Sequence, residues 1–351
     1  MKNLIIPMAG KSTRFPNMRP KWILTDPMSG NLMCVESIKG INLDYFDNIY
    51  FTFLKTHNDE YNVSDGLLRC LKKNNLDKKS KFIILEESTS SQSETVYETI
   101  KRENISGFIF IKDSDGYFEI EIKSTDNKIV YYDLNKTDEI IARNKSYIQM
   151  ENNKIITNIV EKKVISPNYC VGGYGFNSSE EFVKFYKKTI KYSGECFISN
   201  VIFEMILQGL IFFGEESNNF IDWGTEKDWT KYCSNFSTYF VDLDGTLITN
   251  TSEYVPPYTG AGKPIEDNIK ILRDKYKNGE CKIIITTARS LELKDITIKE
   301  LKKYDIPYDH LIMDLPHSKR YLINDYSNTN SYPSAISINI ERNQNNLKNL
   351  I

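Results

Sequence analysis

Two carboxylates one residue apart, Asp242 and Asp244, follow the apolar run Tyr239-Phe240-Val241 and precede Gly245 and Thr246. Side chains alternate along a strand, so a strand ending here delivers both carboxylates to one crevice. Gly245 permits a sharp turn, and Thr246 can hold it by hydrogen bonding. Such a pair suits Mg²⁺ binding and attack on a phosphate. A second grouping lies near the N-terminus, where Ala9-Gly10-Lys11-Ser12-Thr13-Arg14 follows Leu4-Ile5-Ile6 and Pro20-Lys21 comes soon after. Backbone N–H groups at Ala9, Gly10, Ser12 and Thr13 could wrap triphosphate oxygens, with Arg14 and Lys21 supplying positive charge.

Both groupings need strand ends to position them. Leu4–Ile6, Ile49–Leu54, Phe82–Leu85 and Phe108–Ile111 read as buried strands separated by helix-length segments, which indicates a largely parallel α/β sheet. In the more polar middle, Asp126-Asn127-Lys128 and Glu151-Asn152-Asn153-Lys154 read as hairpin turns. Helical spacing covers Glu180–Lys188 and Asn200–Gln208, and a short helix at Glu226–Tyr232 closes a first domain over 1–235. A small α/β domain is expected over 238–351. Its pattern is strand Tyr239–Asp242, helix Ile265–Lys277, strand Cys281–Thr286, helix Leu291–Tyr304, then strands near Tyr321–Ile323 and Ala335–Ile340.

Composition bounds the function. The 351 residues are 40% hydrophobic and 26% charged, ordinary for a globular protein and long enough for two domains. A net charge of -2 argues against a nucleic-acid-binding surface. The six cysteines are scattered with no Cys-x-x-Cys pair, which favours free, mostly buried thiols. Three dispersed histidines argue against a zinc cluster. The N-terminal apolar run ends too early for a secretory signal, and no stretch has the length of a membrane span. These features predict a cytoplasmic protein without nucleic-acid or membrane partners. They leave open whether it is a homo-oligomer.

The N-terminal grouping resembles the sugar nucleotidyltransferases of the glycosyltransferase-A-like fold, which open with a strand, an Ala-Gly-x-Gly-Ser/Thr-Arg loop and a Pro-Lys pair. Ser12 stands where that family has its second glycine. Further matches follow in order over roughly the first 230 residues. Gln92-Ser93-Glu94-Thr95-Val96 is similar to the base-lining segment, which places Gln92 and Thr95 against the nucleotide. Asp113-Ser114-Asp115 and Asp222-Trp223-Gly224-Thr225 are similar to the two halves of the metal site, with Asp115 an alternative to Asp113. Glu161-Lys162 resembles the pair that contacts the sugar and its phosphate, and Gly173 belongs to a strand near the sugar. The resemblance implies a Rossmann-like mixed-sheet domain in which Asp113 and Asp222 hold Mg²⁺ against the α-phosphate. Arg14 and Lys21 would neutralise departing pyrophosphate, and Lys162 the incoming phosphate.

The C-terminal segment resembles the haloacid-dehalogenase-like phosphatases, whose opening Asp-x-Asp-Gly-Thr is matched in full by Asp242–Thr246. The resemblance makes Asp242 the nucleophile and Asp244 the general acid/base, with both at the metal. It assigns Thr287 to the transferring phosphate, with Thr286 close behind. Lys319 becomes the neutralising cation, with Arg320 its rival, and Asp325 a further metal ligand beside Asn324. Few residues separate these motifs, so a capless domain is implied. Together the two resemblances imply a bifunctional, Mg²⁺-dependent enzyme. It would transfer a nucleotidyl group, guessed to come from CTP, to a sugar or polyol phosphate, and would hydrolyse a phosphomonoester in the same surface-polysaccharide pathway. The alternative is a nucleotidyltransferase whose second domain is inactive and serves binding or regulation.

Overall fold

The uninterrupted apolar runs near the N-terminus become strands covered on both faces. In β1 (Lys2–Met8) the residues Leu4, Ile5 and Ile6 are fully buried. Ile5 joins Ile109 and Ile111 in one core, whereas Leu4 and Ile6 join Phe108 and Phe110 in the other. Two helical layers therefore sandwich the sheet, and no polar/apolar alternation is left to read. A computed structural model divides the chain into two units, Met1–Trp229 and Thr230–Ile351. The structure describes residues 1–16, 18–137, 144–191, 196–325 and 334–351.

The first unit continues with β2 (Asn48–Leu54), β3 (Ser80–Leu85), β4 (Phe108–Lys112), β5 (Gly116–Glu119), β6 (Lys128–Asp133) and β7 (Ser146–Met150). It ends with β8 (Ile156–Glu161), β9 (Asn168–Phe176), β10 (Phe213–Glu216) and β11 (Asn218–Asp222). Among the described residues nine strands form one sheet, ordered β10-β6-β9-β4-β1-β2-β3, with β7 paired to β8 and β9. β4-β1-β2-β3 is parallel. β9 runs antiparallel to β4 and β6. The sheet is thus mixed. β5 and β11 form a separate antiparallel pair.

Glu151–Lys154 does turn a hairpin, since β7 and β8 pair antiparallel around it. Asp126–Lys128 does not: it leads into β6, but β5 before it pairs with β11 instead. The expected helices form at Ser179–Thr189, Ile198–Leu207 and Glu226–Ser234. Ser178 caps the first of them, its hydroxyl accepting from the Glu181 N–H at 3.2 Å. Among the described residues no helix is long and apolar enough to cross a membrane.

In the second unit β12 (Ser237–Asp242), β13 (Cys281–Thr286) and β14 (His310–Ile312) form a parallel sheet in that order. Helices Glu266–Lys277 and Lys294–Lys303 supply Ile269, Leu272 and Leu301 to its core. The expected strands at Tyr321–Ile323 and Ala335–Ile340 are not formed. Tyr321 is 80% and Ile323 90% exposed, so this stretch has no buried face to hold it extended. The third strand is instead His310–Ile312, whose Leu311 packs on the core. It is too short to stand out in the sequence.

Phe110 in β4 is fully buried, 6.1 Å from the Phe46 ring. Truncation to alanine should cost about 3–5 kcal/mol through lost burial and a cavity. All three tryptophans (Trp22, Trp223, Trp229) lie in the first unit, so denaturation followed by tryptophan emission reads that unit. The expected result for Phe110→Ala is a clear drop in its midpoint.

Candidate active site

The turn from β4 to β5 carries Asp113 and Asp115, and the pairing of β5 with β11 sets Asp222 opposite Gly116. The Trp223 N–H donates to the Asp115 carbonyl at 2.9 Å, closing this corner. Here lies a polar cavity of about 140 Å³ lined by Arg14, Gln92, Asp113, Asp115, Lys145, Glu161 and Asp222, among others. Residues more than a hundred positions apart in sequence thus share one space. Gly172 forms part of the wall. Its φ of +84° and the Asp113 carboxylate beside it leave no room for a side chain, and its carbonyl accepts from the Asp113 N–H at 2.8 Å.

Charge balance governs this corner. Burial alone would raise Asp115, but Lys21 and Arg14 outweigh it and hold the carboxyl well below its usual range. Lys21 donates directly to Asp115 Oδ2, and Arg14 lies 3.5 Å from the same oxygen. Asp113 goes the other way: burial, then the neighbouring Asp115 charge, push it up. It is held by an amide, Gln92 Nε2, rather than by a cation. Asp222 Oδ2 pairs with Lys145 Nζ at 2.5 Å, while its Oδ1 accepts from the Gly224 N–H at 3.0 Å. Beneath the turn, burial lowers the Lys112 ammonium to about 8. That group donates to the Asp113 and Gly116 carbonyls, each at 2.7 Å, and so fixes the backbone that presents both aspartates.

Several expected residues meet here and others do not. Arg14, Gln92, Asp113, Asp115, Glu161 and Asp222 line the cavity, and Lys21 reaches it through Asp115. Glu161 is fixed by the Ser199 hydroxyl at 2.6 Å and by Ser146. Ala9, Gly10, Ser12 and Thr13 form the loop after β1, and of that loop only Arg14 lines the cavity. Ser12, where the family has glycine, adopts a glycine-like φ of +50°, a strain of about 1 kcal/mol. Three expected residues do not line the cavity. Thr95 is buried, its hydroxyl bonded to Thr89 at 2.6 Å and away from the cavity. Gly173 faces Phe118 and Val130 in the core, and the glycine at the site is its neighbour Gly172. Lys162 is exposed and stacks its ammonium 4.3 Å from the Phe197 ring centre. Lys145, Lys112, Ser146 and Ser199 went unnoticed because single lysines and serines carry no local signal.

Among the described residues no three His, Cys, Asp or Glu side chains converge as a preformed metal cluster. Of the expected residues, Asp115, the alternative to Asp113, is engaged by Lys21 and Arg14. Asp113 and Asp222 still suit a hard dication: both are carboxylates on one cavity, and Asp113 has an amide where a cation would neutralise it.

In the second unit, Asp242 ends β12 and Gly245 turns the chain at a φ of +90°. Asp244 accepts from Thr287 Oγ1 at 3.3 Å and from Thr251 Oγ1 at 2.9 Å. Asp242, Asp244 and Thr287 are therefore grouped as expected. The cation at Asp242 is Arg320, 2.9 Å from Oδ1, and not Lys319, which is exposed. Burial raises Asp242 despite that partner. Asp325 is exposed on the stretch that forms no strand, and among the described residues nothing joins its carboxylate to Asp242. Sequence reading also missed Arg289. Buried, it grips Asp244 with two nitrogens, both at 2.8 Å, and reaches Glu300 at 2.6 Å with the third.

No protein-family profile and no curated protein matches the sequence. Solved structures do. A nucleoside-diphosphate-sugar pyrophosphorylase from Vibrio cholerae RC9 is 21% identical, with 66% of this chain and 99% of that one covered at a TM-score of 0.56. An inositol-1-phosphate CTP transferase from T. maritima is 11% identical, covering 65% and 90% at 0.51. A UDP-glucose pyrophosphorylase complexed with UDP-glucose is 13% identical, covering 67% and 97% at 0.51. The α/β fold with its mixed sheet is thus that of the sugar nucleotidyltransferases among these solved structures.

Proposed function

We propose that the first unit transfers a nucleotidyl group from a nucleoside triphosphate to a sugar or polyol phosphate. An oxygen of the acceptor phosphate attacks the α-phosphorus, the bond to the β-phosphate oxygen breaks, and pyrophosphate leaves. The reading rests chiefly on the convergence of Asp113, Asp222, Arg14 and Gln92 in one cavity. The shared fold supports it. Asp113 and Asp222 are the residues to hold Mg²⁺, which when bound would offset negative charge on the phosphates. Arg14 and Lys21, already gathered at Asp115, suit the pyrophosphate end, and the loop Ala9–Thr13 offers backbone N–H groups beside them. Glu161, held by Ser146 and Ser199, suits the hydroxyls of the acceptor. CTP is the first donor to try. One structural neighbour is described as a CTP transferase and another as complexed with UDP-glucose, so the base is a matter for direct screening.

For the second unit we propose phosphomonoester hydrolysis with Asp242 as nucleophile, Asp244 as acid/base, Thr287 on the phosphate and Arg320 in the place expected of Lys319. A step of this kind would serve the same pathway, and surface-polysaccharide precursor synthesis in the cytoplasm is its proposed setting. One observation favours the second reading, a unit that binds phosphorylated ligand without hydrolysis. Arg289 occupies both oxygens of Asp244 with two nitrogens, and among the described residues the exposed Asp325 joins no acidic cluster with Asp242 and Asp244.

Four nucleoside triphosphates against a panel of sugar and polyol phosphates should yield pyrophosphate for at least one pair, and EDTA should abolish it. Asp113→Asn should lower kcat/KM by about 100-fold or more, the scale of losing one electrostatic element of such a site. No pyrophosphate from any combination would refute the first activity. For the second unit, phosphate release from p-nitrophenyl phosphate should vanish in Asp242→Asn. No release from the unaltered protein with this ester or the sugar phosphates would establish the non-hydrolytic reading.

A further inference from the structure

Lys145 lines the cavity and contacts one of the two carboxylates suited to a dication. Its ammonium sits 2.5 Å from Asp222 Oδ2 with only 18% of the side chain exposed. The other oxygen, Oδ1, is committed to the Gly224 N–H. Oδ2 is the oxygen not engaged by that N–H, and Lys145 occupies it. Two positive charges repel strongly at one carboxylate oxygen in a partly buried space. We propose that Lys145 is a placeholder for the divalent cation: it neutralises Asp222 before nucleotide arrives, yields that oxygen when the ion binds, and turns to the phosphate that enters with it. The proposal rests on the reading of Asp113 and Asp222 as the Mg²⁺-holding pair.

Three features fit an exchange of this kind. The backbone at Lys145 is pinned, its carbonyl accepting from the Lys162 N–H at 3.0 Å just before β7 begins, so movement is confined to a flexible side chain. The Phe220 ring centre, 5.1 Å from the ammonium, offers an aromatic surface along which the charge can swing. Lys162, the residue expected to meet the acceptor phosphate, stacks on the ring of Phe197 and does not itself line the cavity, whereas Lys145 does.

The test uses the full chain and Mn²⁺ alone, without nucleotide, with free Mn²⁺ read by electron paramagnetic resonance. Removing the competing ammonium in Lys145→Gln should tighten Mn²⁺ binding by about tenfold, the equivalent of a one-unit electrostatic shift. Lys162→Gln alters net charge equally outside the cavity and should change binding by less than about twofold. In an Asp222→Asn background the gain from Lys145→Gln should disappear, because the shared oxygen is gone. Lys145→Met serves as the second variant, with tryptophan emission confirming that the first unit is folded. Unchanged or weaker Mn²⁺ binding in both Lys145 variants would overturn the placeholder, as would a gain that survives Asp222→Asn. Failure of the underlying metal reading looks different: Asp113→Asn and Asp222→Asn would leave Mn²⁺ binding of the unaltered protein as it was.

Discussion

Three carboxylates, Asp113, Asp115 and Asp222, share one small, partly buried cavity, and keeping them charged there requires cations. That requirement organises the corner. Lys21 and Arg14 converge on Asp115, Lys145 closes on Asp222, and the buried Lys112 ties down the turn beneath. Asp113 alone is answered by an amide, Gln92, and burial together with the neighbouring Asp115 charge pushes its carboxyl up. A site so compensated is stable without ligand. It is also responsive, since an arriving cation or phosphate changes which of these pairs is favourable.

Backbone geometry makes the charge arrangement attainable. β4 delivers Asp113 at its end, and a short turn returns as β5, which pairs with β11 and so brings Asp222 back from far along the chain. Gly172 in β9 lets the neighbouring strand approach until it touches the Asp113 carboxylate. The strain sits in the surrounding loops. Ser12 holds a backbone conformation that glycine would adopt freely, next to the strand end that presents Arg14.

The second unit meets a similar demand with different means. Asp242 and Asp244 emerge from β12 as a strand-end pair, and each is answered by an arginine. Arg320 approaches Asp242 from an exposed stretch, whereas Arg289 is buried between Asp244 and Glu300. The first is a contact ligand can replace. The second is structural, because removing Arg289 would leave the buried Glu300 and the half-buried Asp244 without their cation.

Much of this was legible in the residues themselves. Continuous apolar runs reported strands covered on both faces, and the motifs that named Arg14, Gln92, Asp113 and Asp222 in the first unit, and Asp242 and Thr287 in the second, fall within the groupings described above. Local sequence carries such information because a strand fixes the direction of each side chain and a glycine marks each tight turn. What it left open depended on contacts between distant segments. Lys145 carries no motif, and Arg289, two residues after Thr287, acquires its role only through the carboxylates opposite it. Gly172 rather than Gly173 serves the site because of how β9 meets Asp113. Tyr321–Ile323 stays unpaired because it buries none of its side chains, and His310–Ile312 supplies the third strand. Sequence determined the long apolar strands and the chemistry at their ends. Tertiary packing decided which charges face one another, because Coulomb energy depends on distance in space and burial, and neither can be read along the chain.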